Sequence, residues 1–203
     1  MSELPEYDLP PSAPPLRHVA RALVFDPADR LLLIAYEAVR PIDPARPEDR
    51  TFWFMPGGGL EPGEGHVEAC RCELAEEIGV ENAEIGPEVG RCDGPFHLFK
   101  TSRDARERYY LVRLPDDRID TRRLAETEDN PVLGTRWWSM AELEASSARI
   151  EPAGLAGLAR RLVAGISRRA RSRCRGATLE SAPAPGHVSD NATTLTPEPT
   201  AGD

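Results

Sequence analysis

Apolar positions in this chain come in short blocks whose spacing changes once, and that change organises the reading. Val19–Phe25 and Arg30–Tyr36 are runs rich in Val, Leu, Ile and Phe, parted by Asp26-Pro27-Ala28-Asp29. Two runs of strand length around a polar, proline-bearing break predict a β-hairpin. Residues 40–50 are rich in proline and charge and read as a loop. Thr51-Phe52-Trp53-Phe54 is a short aromatic strand that leads into a glycine-rich turn at 57–59. Residues 66–78 then take up helical spacing, and Gly79 ends the helix. Further strands are predicted over Val89–Cys92, Phe96–Phe99, Tyr109–Leu114 and Thr135–Ser139. Helices are predicted over Ala141–Ser147 and Gly154–Arg173, the second with Leu155, Leu158, Leu162, Val163 and Ile166 as its apolar stripe. Strands on both sides of one central helix predict an α+β fold, an α/β/α sandwich around a mixed sheet. There is no internal repeat.

The ends differ from this middle. Residues 1–15 hold five prolines, and from Ala177 to Asp203 large apolar residues almost vanish. Such segments bury too little surface to offset ordering entropy. The expected division is a disordered Pro-rich arm at 1–15, a globular domain at 16–170 and a disordered tail at 171–203. A net charge of −9 over 203 residues argues against a general nucleic-acid-binding surface, and no second, DNA-binding domain is visible. No run approaches the roughly 20 apolar residues of a membrane span. The first residues carry neither a basic stretch nor an apolar signal core, so a cytoplasmic protein is expected. The cysteines, Cys70, Cys72, Cys92 and Cys174, read as reduced thiols, and Cys70 and Cys72 are too closely spaced for a zinc hook. Arg168–Arg175 is a basic block on an acidic chain. It reads as a solvated helix end, with RNA, a membrane surface or an acidic partner as the alternative.

The chemistry lies in the predicted helix. Glu73, Glu76 and Glu77 stand at i, i+3 and i+4 and share a face. Like charges so placed cost stability unless a cation sits among them, and carboxylate oxygens suit a hard divalent ion. Gly57, Gly58 and Gly59 let backbone approach a metal or phosphate closely. The helix N-terminus beyond them favours anions. Metal ligands beside an anion cradle suggest a diphosphate site.

Gly58, Glu64, Glu73, Leu74, Glu76, Glu77, Gly79 and Val80 fill their slots in the pattern G-x5-E-x7-R-E-U-x-E-E-x-G-U, where U is aliphatic. The chain therefore resembles the Nudix hydrolase family over roughly residues 17–165, with Phe52–Gly59 and Arg136–Leu143 also typical of it. The resemblance implies a three-layer sandwich and hydrolysis of nucleoside diphosphate derivatives with Mg²⁺ or Mn²⁺. It implies Glu73, Glu76 and Glu77 as metal ligands, with one of them or a downstream glutamate as general base. It further implies that the Gly57 carbonyl joins the metal shell and that Glu64 ties loop to helix and touches a second metal. For the late-loop acid that often completes the site in the family, Glu128 is the candidate, with Glu126 as runner-up. Gly58 and Gly59 are expected against substrate. Arg21 (with Arg17) is a candidate for phosphate or ribose, with an ordinary surface arginine the competing reading, and Trp53 is a candidate for a base, with core packing the competing reading. His66 reads as a solvated residue at the helix start. Dimers are frequent in the family, so a homodimer is open. Specificity is expected from residues 37–50 and 93–107.

One slot departs. The family arginine is Cys72 here, and Arg71 lies about 100° around the helix from it. An arginine makes charge-assisted bonds that orient the carboxylates; a thiol cannot. Either metal or another arginine (Arg103, Arg106 or Arg108) restores the balance, or catalysis is weakened while nucleotide binding survives. A nucleotide-binding sensor or partner module is thus the rival, and an isoprenoid diphosphate isomerase a third reading.

Overall fold

The computed structural model describes residues 16–39, 41–42, 45–96, 103–124, 130–172 and 195–196. Strand β1 (Leu16–Phe25) runs at its centre, and its residues alternate between two apolar clusters. Val19, Leu23 and Phe25 belong to one; Ala20, Ala22 and Val24 belong to the other. A strand buried on both faces needs cover on both, which sets the layered architecture. Helix α1 (His66–Ile78) covers the alanine face through Ala69, Cys70, Leu74 and Ile78. Helices α2 (Met140–Ala145) and α3 (Leu155–Ser172) contribute Leu143, Leu155, Leu158 and Ala159 to the other cluster. Each fully buried leucine or isoleucine contributes about 1.5–3 kcal/mol of transfer free energy.

Around β1 the sheet forks. β6 (Arg103–Arg113) pairs with it in parallel along its whole length, and β5 (Ile85–Phe96) lies antiparallel to β6. The predicted hairpin forms, with the Asp26 carboxylate accepting from the amides of Ala28 and Arg30. Yet β2 (Leu31–Glu37) pairs with β1 only at Phe25 and Leu31. It then diverges to pair with β3 (Thr51–Phe54) and β7 (Val132–Trp138), and β3 carries the two-residue β8 (Arg149–Ile150) in parallel. The gap beside β1 is filled by β4, which is Gly57–Gly59 itself. The glycines expected as a turn are therefore a strand, antiparallel to Val19–Arg21.

Helix α1 has the predicted span, ending at Gly79 in the left-handed conformation. α2 starts on a capping box between Ser139 and Glu142. Other boundaries move. The strand expected from Val89 begins at Ile85, and that expected from Tyr109 begins at Arg103. Most of the strand expected at Phe96–Phe99 lies outside the described residues. In the stretch expected to be unfolded, α3 continues to Ser172, and Leu195–Thr196 (β9) pairs with Cys92 and Arg91 at the sheet edge. Residues 1–15 and the remainder beyond 172 lie outside the described set. Among the described residues no helix is long and apolar enough to cross a membrane.

Candidate active site

The glycine strand is held from both sides. From α1, the Glu77 carboxylate accepts the Gly57 amide at 2.7 Å and is fully buried. One turn earlier, the Glu73 carboxylate lies on Gly58. A methyl built on Gly58 would sit 2.6 Å from its carboxyl carbon, so the missing Cβ makes room for that carboxylate. Helical spacing thus delivers two carboxylates to consecutive glycines. Glu76 does not join them; it is exposed. Among the described residues no three acidic, histidine or cysteine side chains are gathered closely enough to enclose a metal ion. The donors present, Glu73, Glu77 and the Gly57 carbonyl, are all oxygens and fit a hard cation.

From β1, Arg21 reaches beneath the same strand. The sequence placed it at a phosphate or ribose; its side chain is buried instead. The guanidinium donates to the carbonyls of Met55 (3.2 Å) and Gly57, pairs with Glu107 at 3.2 Å, and lies 4.2 Å from the Phe54 ring centroid. Glu107 is itself buried and accepts from the Tyr109 hydroxyl at 2.6 Å. Burial, followed by the Glu107 charge, holds Tyr109 well above the ordinary phenol range. The pattern of the chain pointed to Arg21 but not to Glu107 or Tyr109. A charged residue in the middle of a strand between apolar neighbours is a signal at Arg21, between Ala20 and Ala22, while Glu107 stands between Arg106 and Arg108 and carries no such signal.

Glu64 does bind loop to helix. Its carboxylate accepts the Glu61 amide at 2.9 Å and the Cys72 thiol. Cys72 is exposed, and partial desolvation and then the Glu64 contact raise its pKa. The thiol therefore makes one weak bond where the motif calls for an arginine. Arg106 and Arg108 line a cavity of about 210 Å³ with His18, Arg91, Asp93 and Glu107, and Arg108 pairs with Glu88. The Arg103 side chain, Glu126 and Glu128 lie outside the described residues. Arg17 lies against Gly59.

Trp53 packs edge-on against Trp138, their centroids 5.0 Å apart. Trp138 is buried in the core, while Trp137 faces the α1 side and donates to the Asp117 carbonyl at 3.1 Å. Trp53 and Trp137 are both partly buried and pack against the two core clusters. His66 is partly buried rather than solvated, standing edge-on to His18 at 6.0 Å. Burial and then the Arg108 charge lower its pKa.

The NUDIX domain family model matches residues 15–158, well over half of the chain. This chain belongs to the Nudix family. Its reaction class is that of Nudix pyrophosphohydrolases, the hydrolysis of acid anhydrides in nucleoside diphosphate-linked compounds. The Nudix fold is also seen in solved structures similar to it. A MutT protein from Methanosarcina mazei aligns with a TM-score of 0.55 and 15% identity, covering 76% of this chain and 97% of that one. The E. coli ORF135 protein gives 0.52 and 21%, covering 76% and 93%. A C. elegans Ap4A hydrolase gives 0.51 and 16%, covering 75% and 98%. No curated protein matches the chain at a significant level.

Proposed function

We propose that this Nudix domain cleaves a diphosphate linkage of a nucleotide derivative using Mg²⁺ or Mn²⁺ held by Glu73, Glu77 and the Gly57 carbonyl. The observation that carries it is the delivery of two carboxylates from one helix face to adjacent glycines. An ion bound there supplies Lewis-acid polarisation and neutralises charge on the diphosphate. Glu77, buried and fixed by the Gly57 amide, anchors the set. Glu73 is half-exposed at the strand surface and is the better placed to take a proton from the attacking water. Glu76, exposed on the same helix face, would complete the set. Glu64 steadies the loop, and Glu128 is the proposed late-loop acid. Gly58 and Gly59 carry the Glu73 carboxylate and the Arg17 guanidinium against their backbone, and Arg17 is the cation placed to meet an approaching phosphate. A cytoplasmic homodimer is the setting proposed with this activity.

The test is hydrolysis of ADP-ribose, NADH, dNTPs, diadenosine polyphosphates and capped RNA with Mg²⁺, with Mn²⁺ and with EDTA, with the products identified. Turnover lost on chelation and in Glu73→Gln and Glu77→Gln is the expected result. Equal background rates for wild type and both variants on every substrate would end the proposal. Cys72 favours a second reading, a weakened domain that binds nucleotides as a sensor. Calorimetric nucleotide binding without turnover on the whole panel would select it.

A further inference from the structure

Position 72 leaves α1 without the fixed cation its motif specifies, but a buried cation reaches the same site from β1. Four main-chain groups of residues 55–57 are engaged. The carbonyls of Met55 and Gly57 accept from Arg21. The Pro56 carbonyl accepts from the Ala22 amide at 2.9 Å. The Gly57 amide donates to Glu77. Gly57 lies close enough to β1 that a methyl on it would stand 2.7 Å from the Arg21 Cα, at a φ of +129°. The strand is thus clamped between Arg21 below and Glu77 above, and Arg21 is oriented in turn by Glu107 and Tyr109.

We infer that Arg21 is a positioning residue for the metal-holding end of the glycine strand, serving from β1 the orienting role that Cys72 cannot serve from α1. This rests on the function proposed above. Three features distinguish Arg21 from the other arginines. It is buried with its counter-ion, whereas Arg17 and Arg71 are exposed. It donates to the carbonyl proposed as a metal ligand, whereas Arg106 and Arg108 line the cavity that Glu107 also borders. Its rigid fork donates from one nitrogen to two carbonyls and from another to a carboxylate, a fixed spacing that the single nitrogen of an ammonium does not reproduce. Because Arg21 and Glu107 neutralise each other, the pair adds no net charge to the site. The effect is geometric: the Gly57 carbonyl is aimed, and the amide that holds Glu77 is fixed between two bonded carbonyls.

The experiment compares the full chain with Arg21→Met/Glu107→Gln, which removes both charges so that neither is left buried alone, and with Arg21→Lys. Folding is followed by circular dichroism. Mn²⁺ affinity is read by electron paramagnetic resonance without substrate, Gly57 amide exchange by NMR, and kcat and KM on the best substrate. The folded double variant is expected to bind Mn²⁺ about tenfold or more weakly, as loss of a group that orients metal ligands does. Its kcat falls by about tenfold or more while KM changes by less than about threefold. Gly57 exchanges faster, and Arg21→Lys recovers part of each loss. A folded double variant with Mn²⁺ affinity and Gly57 exchange within about twofold of wild type overturns the inference. If the double variant does not fold, Arg21→Lys decides on the same two readings, and wild-type values overturn it equally. Wild-type protein that neither binds Mn²⁺ nor hydrolyses the panel sinks the proposed function instead; unchanged Gly57 exchange alone still refutes the clamp.

Discussion

Adjacent glycines in β4 should fail in opposite ways when given a methyl group. At Gly58 the methyl meets only the end of a flexible side chain. The Glu73 carboxyl carbon stands 2.6 Å away and must retreat to the 3.4 Å of ordinary contact, a shift of about 0.8 Å, and the nearer oxygen must move further. Rotation of Glu73 absorbs this with little cost to the fold, so Gly58→Ala should change stability by less than about 1 kcal/mol. Displacing a catalytic carboxylate by about 1 Å costs on the order of 10²-fold in rate. At Gly57 the obstacle is backbone, with the Arg21 Cα at 2.7 Å and the Ala20 carbonyl carbon at 3.1 Å, and the φ of +129° is one that side chains avoid. Gly57→Ala should therefore cost about 1–3 kcal/mol from backbone conformation alone, with the clash added. Denaturant titration and steady-state kinetics on both variants form the assay. Gly58→Ala with wild-type kcat would refute the claim that Glu73 works where it lies. A Gly57→Ala protein as stable as wild type would refute the close seating of β4 on β1.

Cys72→Arg should leave kcat within about threefold of wild type, because the glycine strand is already oriented from β1; a rise of tenfold or more, measured on the same substrate, would show that carboxylate orientation limits the rate. Stability should fall as pH rises from about 9 to about 12. Burial, with Glu73 and Glu77 adding to it at Cys70, pushes the Cys70 and Cys92 thiols up to about 12, so the unfolded chain loses these protons first. The slope reaches about 1.4 kcal/mol per pH unit for each thiol, and equal urea midpoints at pH 8 and pH 10.5 would contradict it. Leu74→Ala, which empties a fully buried position where α1 meets the sheet, should destabilise by about 2–5 kcal/mol, and a smaller loss would mean that the α1 interface is loosely packed.

Much of this protein follows from residue order alone. Helix α1, its end at Gly79 and the common face of Glu73 and Glu77 depend on local spacing, and so does the alternation of Trp137 and Trp138 to opposite sides of β7. The motif that identifies the family lies within one continuous segment, so no long-range contact is needed to recognise it. Other features depend on which strands become neighbours. Gly57–Gly59 reads as a turn until β2 diverges and leaves β1 with an open edge for it to fill. Arg21 reads as a surface cation until Glu107, distant in the chain, meets it across the β1–β6 pairing. Burying a charge is costly unless a partner and hydrogen bonds compensate, and both partner and bonds come from distant parts of the chain. Local pattern therefore assigned the helix carboxylates, while tertiary pairing decided which cation stands behind them.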